Sequence, residues 1–287
     1  KRSLASVGAG EIEGLTAVLT QTDACDQHQL ADNVAEITAI LKGFDTYGEV
    51  TFTTDPDEYG KYWAIRSGIF PTVGGMRKPG TTCLIEDVAF HIEDLPEAVK
   101  DLSELLERHG YDDSCIYGHA LEGNFHFIVN QSFSKDSEAD RYKVMMEDVV
   151  ELVVKKYDGS LKAEHGTGRN MAPYVEYEWG TKAFEVMKRL KKILDPQGIL
   201  NPGVIFNDDP ECCFKNFKAL PLLSAGEDAT EDMHEAYARL NKCIECGFCE
   251  VNCVSCGLTL SSRTRIALQR EIAHLASTGS APQRLSA

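Results

Sequence analysis

Residues Ser114-Cys-Ile-Tyr-Gly-His119-Ala-Leu-Glu-Gly-Asn124-Phe-His126-Phe-Ile-Val-Asn130 hold two short apolar runs on either side of a glycine-bearing turn. Ser114 to Tyr117 and Phe125 to Asn130 read as strands, because both runs are bounded by turn residues and are too short for helices. On one straight strand His119 and His126 would face opposite sides, since side chains alternate with a period of two. A turn at Leu121 to Asn124 instead folds the chain back and makes the two imidazoles cross-strand neighbours. Phe125 and Phe127, flanking His126, then belong to the core.

Outward from this hairpin the elements alternate. Upstream, Cys83 to Ile92 is apolar enough for a buried strand, and Asp94-Leu-Pro-Glu97 starts a helix with Asp94 as N-cap and Pro96 in its first turn. Further upstream, Leu15 to Thr20 and Gly48 to Thr53 read as strands. Gln29 to Lys42 reads as an amphipathic helix with Leu30, Val34, Ile37 and Leu41 on one face. Asp55-Pro56 opens a helix running through Trp63 and Arg66. Residues 67–82, rich in glycine, read as a functional loop in which Arg77 and Lys78 are either anion binders or solvated charges. Downstream, helices are expected over Glu138 to Lys156 and Lys182 to Leu194. Such an order predicts an α+β fold of two ferredoxin-like α/β units forming a sandwich over residues 1–206. Residues 207–236, with eight acidic residues against two lysines, read as an acidic linker, and 237–287 as the start of a small helical module.

The 287 residues carry a formal charge of −16, which argues against a nucleic-acid partner, since phosphate binding needs clustered Lys and Arg. No apolar run approaches the roughly 20 residues that span a bilayer. A cytoplasmic location, peripheral to the inner membrane at most, is the expectation. The chain starts on Lys1 and its first methionine is Met76, so it reads as a piece of a longer polypeptide.

Of ten cysteines, five fall within residues 243–256, as suits metal ligation in a reducing compartment rather than a disulfide framework. Cys243-Ile-Glu-Cys246-Gly-Phe-Cys249-Glu-Val-Asn-Cys253 has the spacing C-x2-C-x2-C-x3-C, which wraps thiolates around a 4Fe-4S cubane. Zinc also accepts four cysteines, but its structural sites usually pair two knuckles across a longer gap. Val254 stands where bacterial ferredoxin runs carry proline, and there is one such run. Cys256 and the Cys212-Cys213 pair are the other thiols that could reach a cluster.

A second chemical signal joins the hairpin to Ala163-Glu164-His165-Gly166-Thr-Gly168-Arg169. Two histidines and a carboxylate make an open three-ligand site for a divalent metal, with Glu164 before its glycine loop as third ligand to His119 and His126. A histidine bonded to backbone is the competing reading of the bare pair.

These residues resemble the C-terminal domain of the FAD-linked oxidases, the group with D-lactate, glycolate and D-2-hydroxyglutarate dehydrogenases. Gly118-His119-x4-Asn124-x-His126 is similar to the family's paired metal histidines, and Glu164-His165-Gly166 to its metal carboxylate followed by an active-site histidine. Asp195-Pro-Gln-Gly-Ile-Leu-Asn201-Pro-Gly203 resembles the segment that closes the domain. Leu121-Glu122 departs from the family's Gly-Asp in the turn. The continuation into Cys243–Cys253 is similar to large bacterial members that carry a ferredoxin-like domain.

The resemblance implies oxidation of a small D-2-hydroxy acid to the 2-oxo acid. Arg66 would bind the substrate carboxylate, and a divalent metal, zinc by preference, would sit on His119, His126 and Glu164. His165 would take the hydroxyl proton. FAD, bound mainly by a domain not found in this sequence, would accept the hydride, with Asn201 facing it or capping its own turn. A 4Fe-4S cluster on Cys243, Cys246, Cys249 and Cys253 would pass electrons to a quinone or an electron carrier. The fragment alone would then be inactive, and a homodimer is compatible with the reading. The rivals are a metal-dependent hydrolase, which leaves the cysteines unexplained, and a non-catalytic electron-transfer subunit, which leaves the histidines idle.

Overall fold

The computed structural model describes residues 16–279 apart from 216 and 219. The chain divides into two compact units, residues 1–70 and 71–287.

In the first unit two helices begin on aspartates. Asp26 accepts the Gln29 N–H on its side chain at 2.8 Å and opens α1 (Gln27–Leu41). Asp55 accepts the Asp57 N–H at 2.9 Å and opens α2 (Pro56–Ser67), where Pro56 occupies the first turn and its missing N–H leaves nothing unmade. The strand expected over Gly48–Thr53 does not form, nor do residues 16–20 of the one expected from Leu15, which itself lies outside the described residues. Extended backbone becomes a strand only where a partner takes its N–H and C=O groups, and among the described residues this unit supplies none. Side chains tie the segment instead: the Trp63 indole N–H donates to Gln21 at 2.8 Å, and Asn33 donates to Thr22 at 3.2 Å.

A helix, α3 (Ile69–Met76), stands where a long loop was expected. Gly74 is needed there for close approach rather than for a turn, since a Cβ would lie 2.6 Å from the Ile244 side chain.

The second unit is built on β1 (Thr82–Ala89), β2 (Cys115–His119) and β3 (Asn124–Gln131), an antiparallel sheet in the order β1-β3-β2. Alternation gives it two unlike faces. Leu84, Val88, Phe125, Phe127 and Val129 point to one side, where α4 (Leu95–Arg108) and α5 (Asp136–Glu151) bring Leu102, Leu106, Met145 and Val149. Burying each larger apolar side chain here contributes about 1.5–3 kcal/mol, and this is the core that Phe125 and Phe127 were expected to join. The last turn of α5 widens into a π turn over Leu152–Lys156. Asp94 does occupy the residue before α4, but a 3-10 turn (Ile92–Asp94) precedes it and its carboxylate makes no cap.

Between β2 and β3 the chain reverses through a 3-10 turn (Ala120–Glu122) and Gly123 at φ 64°. Only glycine fits, because a Cβ at Gly123 would lie 2.1 Å from the Phe90 carbonyl oxygen.

Helix α6 (Val175–Leu194) begins earlier than the expected Lys182, but Gly180 at φ 74°, ψ 156° interrupts it, so the expected helix is its second part. Among the described residues, 207–230 carry no regular helix or strand, yet they are not loose. Phe214 and Phe217 pack against the core, Phe217 stacks on Phe133 at 3.8 Å, and Asn241 bonds both the N–H and the C=O of Leu223. Then follow α7 (Glu231–Leu240) and α8 (Ser262–Ser277), the latter capped by Ser261, which accepts the Thr264 N–H. The result is α+β with one small antiparallel sheet among the described residues.

Candidate functional site

The face of the sheet turned away from α4 and α5 carries Asp87, His126, Tyr117 and His119. Strand register places Asp87 and Tyr117 directly opposite His126, and His119 opposite Asn124. His119 and His126 are thus diagonal rather than direct cross-strand neighbours, with ring centroids 5.8 Å apart. The hairpin brings the pair together as expected, one step off in register.

Asp87 organises everything else. It is fully buried. Its Oδ2 accepts the backbone N–H groups of Ala163, Glu164 and His165 at 3.0, 2.9 and 2.9 Å. Its Oδ1 accepts from the Asn124 amide at 2.5 Å and lies 3.3 Å from His126 Nδ1. Burial alone would raise the carboxyl's pKa. The nearby His126 ring, then the hydrogen bonds from the His165 backbone and Asn124, outweigh burial and hold it well below the carboxylate range. Three successive N–H groups on one carboxylate fix the Glu164–His165 backbone against the sheet.

Glu164 therefore projects over the two histidines. Its Oε1 stands 2.9 Å from His126 Nε2, 3.3 Å from His119 Nε2 and 3.8 Å from His165 Nε2. The His165 ring lies flat on His126, with centroids 4.6 Å apart and planes 6° apart. His126 is buried, while His119, Glu164 and His165 are each about half exposed, so the site opens outward.

Two donor sets converge within 4.8 Å here, Asp87–His126–His165 and His119–His126–Glu164. The first is spent: both Asp87 oxygens already accept strong hydrogen bonds. The second fits a divalent ion. Asp87 faces His126 Nδ1 and so presents Nε2 to the site, the carboxylate–histidine arrangement that orients a metal ligand, and two imidazoles with a carboxylate leave a coordination position open.

Sequence reading missed Asp87 and its neighbour Glu86. Glu86 points to the other face and accepts from Asn170 at 2.6 Å, Lys162 at 2.8 Å and the Tyr142 hydroxyl at 3.1 Å. The two adjacent carboxylates thus grip the same loop from both faces of the sheet. Their signal was present: two acids in the middle of an otherwise apolar run, Cys83 to Ile92.

The closing segment docks on the same loop. Ile205 N–H donates to the Gly168 carbonyl at 2.9 Å and Arg169 donates to the Pro202 carbonyl at 3.0 Å. Asp195 accepts the N–H groups of Ile199 and Leu200, each at 3.0 Å, which folds Asp195–Leu200 into a turn. Asn201 is exposed at φ 44°, and its carbonyl accepts the Val204 N–H at 3.2 Å. Arg66 lies in the last turn of α2 in the first unit, whereas the site just described is built wholly within the second.

Arg77 is neither an anion binder nor a solvated charge. It is buried and donates to backbone carbonyls at both ends of its own turn and in Asn241–Cys243. Lys78 is exposed, as the solvated reading expected.

Several of the cysteine sulfurs already accept hydrogen bonds. Glu245, at φ 62°, turns its N–H to Cys243 Sγ at 3.3 Å; Ser262 Oγ donates to Cys249 Sγ at 3.4 Å; Ser255 Oγ is 3.2 Å from Cys253 Sγ. Bonds from Ser255, and from the Ser262 and Ser255 backbone, pull the Cys253 thiol down to about 6. No three of the run's sulfurs lie within 4.8 Å of one another among the described residues. The donors at Cys253 favour the thiolate form that any metal or cluster bound by the run requires.

Comparison with known proteins places the chain. The family model described as FAD linked oxidases, C-terminal domain, matches residues 7–205. The chain is similar to glycolate oxidase subunit GlcD of Bacillus subtilis, 28% identical over 62% of this chain and 36% of that protein. It is 31% identical to D-2-hydroxyglutarate dehydrogenase of Stutzerimonas stutzeri, over 50% of this chain and 30% of that protein. It is also 31% identical to the mitochondrial D-lactate dehydrogenase [cytochrome] of Arabidopsis thaliana, over 57% of this chain and 28% of that protein. The matched part thus spans about a third of each relative's length.

Proposed function

The chain belongs to the FAD-linked oxidases through their C-terminal domain, and from that premise we propose that it is the substrate- and metal-binding part of a flavin-dependent dehydrogenase that oxidises a D-2-hydroxy acid to the 2-oxo acid. The single observation that carries the reading is the convergence of His119 Nε2, His126 Nε2 and Glu164 Oε1 beside a free-edged His165. The relatives' names, for glycolate, D-2-hydroxyglutarate and D-lactate, support the substrate class.

Residues 1–206 form the oxidase C-terminal domain in this reading. Residues 207–236 connect it to a partial ferredoxin-like 4Fe-4S domain at 237–287. FAD is held chiefly outside these residues, with Asn201 facing it. A quinone or an electron carrier would be the downstream acceptor.

A bound divalent metal would supply Lewis-acid polarisation of the substrate hydroxyl, and a flavin and an iron–sulfur cluster would supply hydride acceptance and one-electron transfer. His119, His126 and Glu164 would hold the metal, and Asp87, facing His126 Nδ1, would keep Nε2 turned to it. Arg66 binds the substrate carboxylate as a planar fork. His165 takes the hydroxyl proton as general base, a role that an imidazole at hydrogen-bond reach of the substrate can fill. Stacking on His126 and the Asp87-bound backbone keep its ring at the rim of the site.

Metal and acid-labile sulfide analysis of the purified chain tests both centres. About one equivalent of divalent metal should disappear in His119→Ala, and iron with sulfide in Cys246→Ala. Metal content unmoved by His119→Ala would sink the metal site. In the complete enzyme, His165→Ala should lower kcat by about 100- to 10,000-fold with Tm unchanged; wild-type turnover would remove His165 from the chemistry.

A further inference from the structure

Two arginines away from the histidine site are buried against the start of the cysteine run. Arg77 is 4% exposed and Arg270 2%. Arg77 Nη1 donates to the Lys242 carbonyl at 2.7 Å, and Nη2 to the Cys243 carbonyl at 2.9 Å and the Asn241 carbonyl at 3.3 Å. Arg270 Nη2 donates to the Cys243 carbonyl at 2.9 Å and the Leu240 carbonyl at 3.1 Å, while its Nη1 reaches Glu245 at 3.1 Å. Both guanidiniums thus meet on the carbonyl oxygen of Cys243, one from the end of α3 and one from the middle of α8.

That arrangement is costly as it stands. Burial first, and then the charge of Arg270, push the Arg77 pKa down. The one carboxylate within reach of both is Glu245, which Lys218 also holds. Arg270 Nε is buried without a hydrogen-bond partner. Cys83, packed near Arg77, offers no compensation, because burial raises its thiol to about 11. Two buried cations, a lysine and one carboxylate leave a surplus of positive charge beside the first cysteine of the run.

We infer that Arg77 and Arg270 are the built-in counter-charge of the iron–sulfur cluster on Cys243, Cys246, Cys249 and Cys253, positioning Cys243 and raising the potential at which the cluster accepts an electron. This rests on the cluster reading proposed above. Reduction adds one electron, supplied by the reduced flavin, and so one negative charge to the cluster. Buried guanidiniums nearby stabilise that charge more than exposed ones would, because little water screens them. The five carbonyl bonds to residues 240–243 also fix the backbone from which the Cys243 thiolate projects. Neither arginine touches substrate; both are positioning residues.

The test is an EPR-monitored redox titration of the full-length protein with parallel iron and sulfide analysis. In Arg77→Gln the reduced-to-oxidised ratio of the cluster at a fixed potential should fall about tenfold, equivalent to about 59 mV for one electron. Glu245→Gln, which removes the opposing charge, should move the ratio the other way, and it serves as the test should Arg77→Gln fail to fold. Arg77→Lys, which keeps charge but loses the fork, should lower iron per chain while the remaining cluster keeps its potential. A loaded cluster whose potential is unmoved by Arg77→Gln, or moved in the same direction by Glu245→Gln, overturns the inference. Wild-type protein without iron and sulfide overturns the cluster reading itself.

Discussion

At the histidine site every donor is fixed by the sheet or by Asp87, so the ligands are in place before any ion arrives. At the cysteine run the backbone is pinned at one end by Arg77 and Arg270, Cys246 and Cys249 are exposed, and the sulfurs stand apart. The first is a site on rigid elements, where strand register and a buried carboxylate set distances. The second is a loop whose final geometry depends on what it wraps. Preorganisation of the first kind comes from packing, and packing tolerates no added atom. A loop held by side-chain bonds tolerates more, because its backbone is free to give.

The sharpest way to break this comparison is to make the same substitution in both places. Gly118→Ala would put a Cβ 2.1 Å from the Asn124 carbonyl oxygen and 2.7 Å from Phe125 Cα, inside the β2–β3 pair. Neither is a side chain that can move aside. We expect more than about 4 kcal/mol of destabilisation or failure to fold, seen as loss of the cooperative urea transition. Gly247→Ala meets nothing nearer than a Glu250 carboxylate oxygen at 3.4 Å, so it carries only the backbone cost of φ 83°, about 1–2 kcal/mol. Equal losses at the two positions would show that the cysteine loop is as tightly packed as the sheet.

A smaller effect separates holding from binding. Asp87→Asn should weaken divalent-metal affinity about 10- to 100-fold, as loss of a ligand's orienting partner does, while Cys246-dependent iron is unchanged. Its pH signature follows from the sign of the shift. The folded pKa of Asp87 lies below its unfolded value of about 4, so its stabilising contribution is complete above that value and is lost as pH falls toward the folded one. Asp87→Asn should therefore flatten the acid limb of the stability curve below about pH 4. An acid limb identical to wild type would mean that the carboxylate is not the anchor of the 163–165 backbone.

The same contrast decides what could be read from sequence. The hairpin was legible because Gly123 and the short apolar runs around it are local signals, and three-residue motifs such as Glu164-His165-Gly166 are contiguous. Asp87 was not, since its role depends on three N–H groups some 76 to 78 residues away. Arg77 was misread for a related reason: Gly74 and Gly75 look like loop residues until Ile244 is seen packed against Gly74, across a sequence gap that no local pattern spans. The expected strands of the first unit failed on the same ground, because alternation gives a strand its faces but not its partner.

The smallest expected effect lies in the cysteine run, at Ser255. Its hydroxyl is the first cause of the low Cys253 pKa of about 6, with the backbone N–H groups of Ser262 and Ser255 behind it. In metal-free protein, iodoacetamide should therefore alkylate Cys253 with a midpoint near pH 6, where an ordinary thiol waits until about 8.5. Ser255→Ala should move that midpoint upward, with a change in global stability of less than about 1 kcal/mol, because Ser255 is only half-buried and lies in a loop outside the core. A midpoint unmoved by Ser255→Ala would leave Ser262, at the N-terminus of α8, and the backbone N–H of residue 255 as the sources of the poise. That outcome would tie the fourth cysteine to a rigid element after all, and would make the two regions more alike than their exposure suggests.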